Sequence, residues 1–465
     1  MLTQLRIKNF KAWQDTGDMR LAPLTVVFGT NSSGKSSLGH LLLALKQTVL
    51  STDRKRALHL GDKSSLVDLG TFEDCIFGHS ADRALEFTLR WQLPQRMLVR
   101  NAEQRNESYE GNRLELSATI GRDKAGQPQT SEFNYRLLQD NVEQLHIGHA
   151  RKDNSGTLVS EPLKLKHAVG RKWPAEPPEK FYRFTDRTLL RYQNADFLAE
   201  FALATEHLLS HFYYLGPLRE YPSRVYGWAG DTPTDVGSRG EQTIPALLSA
   251  AREGRQLNRG PRRPLKRFDE FIAGWLKDLG VIDSFEIKPL AVGRKEYEVL
   301  VRTHPGTAEV KLTDVGFGVS QVLPALVQAF YAPPGSVVWM EQPEIHLHPL
   351  AQANLADAFI SAVQAGEGGQ PRQTQLIVES HSEHFLTRLQ RRVAEGAIQP
   401  EDVAIYYVKR RGAAAELEPL QVDLFGEITN WPEHFFGDEM ADVAARMRAA
   451  QERRRKGAPP AVGAA

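Results

Sequence analysis

Apolar and polar positions alternate across residues 2–10, and residues 24–28 run apolar, so the chain opens with two strands leading into a glycine-bearing loop. From Lys35 to Leu50 the period becomes helical, with Leu38, Leu41, Leu42 and Leu45 on one face. The texture changes over residues 76–166, where 85–91, 114–120 and 133–137 read as short antiparallel strands split by polar turns. Helical patterns dominate residues 194–279, interrupted by a glycine- and proline-rich stretch at 214–240. Strands return at 284–290 and 296–303, and from there to Lys409 helices alternate with apolar strands in the α/β manner. The proline- and alanine-rich end, 457–465, is expected to be disordered.

Composition narrows the class without naming a function. The 465 residues are 41% hydrophobic and 25% charged, enough for a sizeable core, and the length suggests roughly three domains. Lys and Arg number 58 against 57 Asp and Glu, and the net charge of +1 excludes a globally basic nucleic-acid coat and an acidic disordered chain. A single cysteine, Cys75, excludes an internal disulfide framework and a thiolate metal cluster within one chain, which fits a reducing compartment. No apolar run reaches the roughly 18 residues a bilayer span needs, and charges interrupt the first residues where a signal peptide would be apolar. The expected location is the cytoplasm, with no membrane partner.

Four short segments carry chemistry. Gly29-Thr30-Asn31-Ser32-Ser33-Gly34-Lys35-Ser36, followed by Ser37, matches the phosphate-loop pattern and sits between a strand and a helix. Backbone N–H groups there would surround phosphate, Lys35 would reach the β- and γ-phosphates of ATP, and Ser36 would hold Mg²⁺. Far along the chain, the apolar residues 336–340 end in Glu341-Gln342-Pro343-Glu344, and a carboxylate at such a strand end is where a phosphate-loop ATPase holds its metal. Between them, Gly316-Phe317-Gly318-Val319-Ser320-Gln321 opens an apolar helix; by itself it is an ordinary helix N-terminus that presents N–H groups and a hydroxyl. The fourth segment, 375–378, is a short strand followed by Glu379-Ser380-His381-Ser382; a lone histidine there is more often structural than catalytic.

In this order, and with a large insertion after the first, the four segments resemble the ABC-type ATPase heads of the SMC, RecF and OLD group. Glu341-Gln342-Pro343-Glu344-Ile345-His346-Leu347-His348-Pro349 resembles more closely the single-head AAA-family ATPases, and residues 426–433 resemble their small C-terminal domain; Tyr214-Leu215-Gly216-Pro217-Leu218-Arg219 is a further phrase of that group. The resemblance implies an α/β, phosphate-loop NTPase fold: an ABC-type head with an antiparallel β lobe and a helical insertion. The expected head is discontinuous, 1–75 and 281–415, around an insertion at 76–280 that is β-rich over 76–190 and a helical lid over 191–280. A small C-terminal domain, 416–450, and a disordered tail, 451–465, would follow.

For the site, the resemblance implies that Gly318, Ser320 and Gln321 bind the γ-phosphate of ATP held by another subunit, so that dimerisation or higher homo-oligomerisation belongs to the mechanism. Glu341 would hold Mg²⁺ with Ser36, His381 would contact the γ-phosphate, and Phe10 or Trp13 could stack on adenine. Two departures stand out. The water-activating glutamate of such heads is Gln342 here, which orients water without accepting a proton, so that hydrolysis is slow or Glu344 substitutes as base. The metal-sensing glutamine is also missing, since Gln47 falls inside the first helix.

The function expected on this basis is an ATP-dependent switch that works with an effector protein encoded nearby, a nuclease or toxin, in antiphage defence. The alternative is a RecF- or SMC-like ATPase of DNA repair or chromosome maintenance, which would contact DNA through Arg252, Arg255, Arg259, Arg262, Arg263, Lys266 and Arg267. A solvated helix and loop explain that basic run equally well. A metabolic kinase, the third reading, would need an acceptor pocket and no use for residues 316–321.

Overall fold

The computed structural model describes residues 1–101, 107–432, 435 and 439–455. Its centre is a six-stranded sheet in the order Phe212–Leu215, Val337–Glu341, Gln375–Glu379, Leu24–Gly29, Val403–Arg411, Ala414–Leu420. The first five strands are parallel and the last turns back as a hairpin. Strands buried on both faces have no polar side, which is why Val337–Glu341 and Gln375–Glu379 are buried at every position. Helices Lys35–Leu50 and Asp196–Ser210 cover one face with Val27, Trp339 and Ile377. Helices Phe317–Tyr331, Pro349–Gln364 and Glu383–Ala394 cover the other with Val26, Met340 and Val378. This is the α/β, phosphate-loop NTPase fold expected from the sequence.

The β lobe differs from the expectation in extent and attachment. Its strands are long, Leu85–Arg100, Ser108–Arg122, Pro128–Gln139 and Val142–Lys152, because alternation continues past the apolar stretches that mark them in the sequence. The lobe sheet also contains the N-terminal strand Leu2–Phe10, with Ile7 opposite Phe87, so the lobe is continuous with the head.

Other expected boundaries move for similar reasons. Phe212–Leu215, assigned to the insertion, forms the edge of the central sheet, where Phe212, Tyr213 and Leu215 are buried. Four residues are too short to show a strand period in a helical neighbourhood. The boundary expected at 415 falls inside the hairpin of Val403–Arg411 with Ala414–Leu420. Helix Glu439–Arg455 includes 451–455, assigned above to the tail; Glu433 of the C-terminal phrase and residues 456–465 lie outside the described residues. Among the described residues no helix is long and apolar enough to cross a membrane.

Candidate nucleotide site

Parallel strands of one sheet present their C-terminal ends along one edge, and the site is built there. Strand Leu24–Gly29 ends in the glycine loop, and helix Lys35–Leu50 starts immediately beyond it. Two glycines are required by space as well as by backbone angle. Gly29 has φ 149° and Gly34 φ 109°; a Cβ at Gly29 would collide with the carbonyl oxygen of Val408 on the neighbouring strand, and one at Gly34 would sit 2.9 Å from Ala12 Cβ. Gly29→Ala is therefore expected to cost on the order of 3 kcal/mol of stability, read from urea unfolding; a loss below about 1 kcal/mol would show that the two strands can part.

Lys35 Nζ donates to the carbonyls of Gly29 (3.0 Å) and Thr30 (2.9 Å), which curls the loop around its own ammonium. Asn31, Ser33, Gly34, Lys35, Ser36 and Ser37 line a cavity of about 600 Å³, within the range of ligand pockets. Gln342, His381 and Arg410 line it too, and Arg410 donates to Ser32 O at 3.3 and 3.2 Å.

The acids converge through sheet register. Glu341 and Glu379 end neighbouring parallel strands directly opposite one another. Ser36 Oγ donates to Glu379 Oε2 at 2.9 Å and Trp339 Nε1 to Glu379 Oε1 at 2.9 Å, while Tyr214 Oη donates to Glu341 Oε1 at 2.6 Å. Burial raises both carboxyls above the ordinary range. Glu379, with Glu341 beside it as the second cause, is pushed up to about 8, and Glu341 is raised against the pull of Tyr214, Ser36, Arg219 and Lys35. Sequence reasoning gave Glu379 no role. Its signal was an acid closing an apolar strand, the same signal that marked Glu341, but His381 two residues on drew the attention.

Four expected placements change. Phe10 and Trp13 are both fully buried, so neither offers a ring to adenine; Trp13 lies beneath the loop, its Nε1 donating to Gly34 O (3.1 Å) and Ser37 Oγ (2.9 Å). Phe77, half-buried, is an aromatic wall that the cavity does present. Glu344, considered as base, is buried and accepts from Ser380 Oγ (2.9 Å) and from the backbone N–H of His381 (2.7 Å); it supports the histidine rather than facing the cavity. The basic run does not form one free face. Arg255 makes a two-pronged pair with Glu367 (2.8 and 3.1 Å), Arg259 pairs with Asp278 and lies over the Trp275 ring, and Arg267 pairs with Asp269 (3.2 Å).

Gln342 has φ 45°, and its N–H is held by Glu379 O at 2.8 Å, which presents this residue at the cavity wall. His381 lines the cavity with its imidazole pushed down to about 4, first by burial and then by Lys35, so it is neutral at pH 7. Gln47 is engaged by the loop after the first helix, through His59 O (2.6 Å) and Val67 O (3.2 Å). His40, one turn beyond Ser36, lies nearer: its Nε2 is 3.8 Å from Glu341 Oε1, and burial with Lys11 keeps it neutral. Gly318, Ser320 and Gln321 stay outside this cavity; Ser320 Oγ donates to Phe317 O at 2.9 Å beside a separate small hollow.

The residues present fit Mg²⁺ and a nucleoside triphosphate. Residues 31–37 of the loop face the cavity, and Ser36 Oγ with Glu379 beside Glu341 forms an oxygen set that a divalent cation can take once Glu379 gives up its proton. Among the described residues no group of three His, Cys, Asp or Glu side chains forms a ready metal site. Mg²⁺ takes one or two carboxylates and completes its shell with phosphate oxygens and water.

Fold and loop together define a phosphate-loop nucleoside triphosphatase. Within that class, residues 232–387 match the family model described as "AAA domain, putative AbiEii toxin, Type IV TA system". Residues 398–445 match a second model, described as "Protein of unknown function (DUF3696)". No curated protein matches the chain. Among solved structures it is similar to an SMC head bound to the C-winged helix domain of ScpA, at 11% identity and TM-score 0.43, covering 90% of this chain and 98% of that one. The SMC head domain of Thermotoga maritima matches at 11% identity and TM-score 0.40, covering 90% and 99%. So does the Smc head with an extended coiled coil bound to the C-terminal domain of ScpA from Pyrococcus furiosus, at 11% and 0.40, covering 96% and 99%.

Proposed function

We propose that this chain is a single-head ABC-type ATPase that binds MgATP, hydrolyses it slowly and uses ATP-dependent pairing of two heads as a switch, with a nearby-encoded nuclease or toxin as effector in antiphage defence. The observation that carries the reading is the convergence of Lys35, Ser36 and Glu379 on one cavity, with Glu341 directly opposite Glu379 on the neighbouring strand and Gln342 in the cavity wall. Lys35 would bind the β- and γ-phosphates, Ser36 with Glu341 and Glu379 would hold Mg²⁺, and His381 would meet the γ-phosphate. The metal, when bound, supplies charge neutralisation of the phosphates. Gln342 can align a water and cannot take its proton, and Glu344 is committed to His381, so turnover is slow and ATP acts mainly as a clamp.

The two-head part of the reading draws on the helix at Phe317–Tyr331. Its first residues lie outside the chain's own nucleotide cavity, while Phe317, Tyr221 and Leu218 are exposed. A second copy would bring its cavity to Gly318, Ser320 and Gln321. Ser320→Arg is expected to leave ATP affinity within about threefold and to abolish ATP-driven dimerisation, a split between in-chain and cross-chain contacts read by light scattering with and without MgATP. Dimerisation that survives the arginine removes the two-head reading. Residues 232–387 are similar to a family placed in toxin–antitoxin systems, which supports a role in a two-component defence module.

The DNA-repair alternative keeps Arg262, Arg263 and Lys266, which are exposed. It predicts duplex binding that falls steeply with salt, about tenfold for each doubling when several phosphates are neutralised. Binding that ignores salt, or none, leaves the switch.

A further inference from the structure

The phrase Tyr214-Leu215-Gly216-Pro217-Leu218-Arg219 places a cation where proteins seldom keep one. Arg219 is only 5% exposed. Its Nη2 donates to the carbonyl of Glu341 at 3.1 Å, while Nε and Nη1 are buried without a hydrogen-bond partner. A buried guanidinium with two of its three nitrogens unpaired needs a reason.

The complementary orphan lies one short turn beyond Glu341, whose carbonyl Arg219 already holds. Glu344 Oε2 is also buried without a partner, although Oε1 of the same carboxyl holds Ser380 Oγ and His381 N–H. Each of the two groups feels the other's charge, yet no salt bridge joins them. Arg219 is also tied to the outer face. Two residues on, Tyr221 packs edge-on against Phe317, the first residue of the helix that carries Gly318 and Ser320, with ring centres 5.6 Å apart. The backbone between is pinned, Glu220 N–H donating to Arg239 O at 2.9 Å.

We infer that Arg219 is a positioning residue that relays engagement of the Phe317–Ser320 face to the nucleotide cavity: on engagement its free edge turns to Glu344 Oε2, and the ion pair so formed fixes His381 through Glu344. The inference rests on the ATPase reading above and adds to it a route by which a second copy bound at Phe317 sets the γ-phosphate histidine of the first.

The test is a double-mutant cycle in the full chain, with MgATP affinity, single-turnover hydrolysis and the His381 imidazole NMR resonances read for each variant and folding checked by thermal melting. Arg219→Met is expected to slow hydrolysis about hundredfold with MgATP affinity within about threefold, as a displaced catalytic group does. Glu344→Gln should do the same, the double variant should be no slower than the worse single, and Arg219→Lys should recover part of the rate. Both single variants should shift the His381 resonances alike, which a merely structural residue would not do. Rates that multiply across the cycle, or His381 resonances unmoved by Arg219→Met, overturn the relay. If Arg219→Met does not fold, Arg219→Lys with Glu344→Gln completes the same cycle. A wild-type chain that binds no MgATP overturns the ATPase reading and the relay with it; one that binds and hydrolyses ATP while the cycle is additive overturns the relay alone.

Discussion

Lys35→Ala is expected to weaken MgATP binding by about a hundredfold or more and to stop turnover, the size of effect seen when a preorganised donor to developing phosphate charge is removed. Burial lowers the affinity of Lys35 for its proton, while Glu379, Glu341 and Glu344 oppose that shift. Its ammonium now sits between Gly29 O and Thr30 O. Phosphate oxygens would replace those carbonyls, so the donor that curls the loop is the one that would hold the nucleotide. Removal has a second consequence, since two loop carbonyls lose their donor and the protein without nucleotide should lose about 1–2 kcal/mol. Calorimetric titration with MgATP measures the first effect and urea unfolding the second. A dissociation constant within threefold of wild type would exclude the loop as the phosphate site.

Glu379→Gln carries the next largest effect, and its signature is a change in pH dependence. With its carboxyl pushed up to about 8 in the folded chain, Glu379 keeps a proton that the unfolded chain gives up near the ordinary value of 4.5. The folded form therefore binds more protons across that window, and stability must fall as pH rises from about 5 to 8, with a slope that cannot exceed ~1.4 kcal/mol per pH unit for one proton. Glutamine cannot titrate, so the variant should lack this slope and be the more stable protein at pH 8. Magnesium binding demands the ionised carboxylate and should expel the proton, so MgATP binding by the wild type should release protons at pH 7. The variant should release fewer and hold the metal more weakly. Unfolding at pH 5.5, 6.5 and 7.5, and calorimetry in buffers of differing ionisation heat, decide the matter; an unchanged slope in the variant would mean that Glu379 is not the titrating group.

The contrast between Lys35 and Glu379 shows what kind of information a linear sequence holds. The glycine loop is local: strand, turn and helix follow within a few residues, and Lys35–Leu50 is helical over the whole expected span. The acidic strand end and His381 were legible for the same reason. Glu379 closes an apolar strand as Glu341 does, but its role comes from lateral register, which sets it opposite Glu341 and within reach of Ser36, 343 residues earlier in the chain. Trp13 looked like an aromatic beside a nucleotide loop; it became core because its strand pairs with Leu2–Phe10 and tucks the indole under Gly34. The basic run looked like a patch because its carboxylate partners, Glu367 and Asp278, are distant in sequence or on another element. Local order writes the loop, and tertiary pairing decides which charges remain available to a ligand.

The contact between Gly29 and Val408 also bears on how the protein is made. The loop strand lies between Gln375–Glu379 and Val403–Arg411, and Arg410 reaches back to Ser32. On the ribosome the loop emerges early, while the strands that flank it follow roughly 370 residues later, on the order of half a minute at ordinary elongation rates. Through that interval a nascent chain has the phosphate-loop residues without the walls that shape them, so the nucleotide cavity cannot take its form until strand Val403–Arg411 has been made.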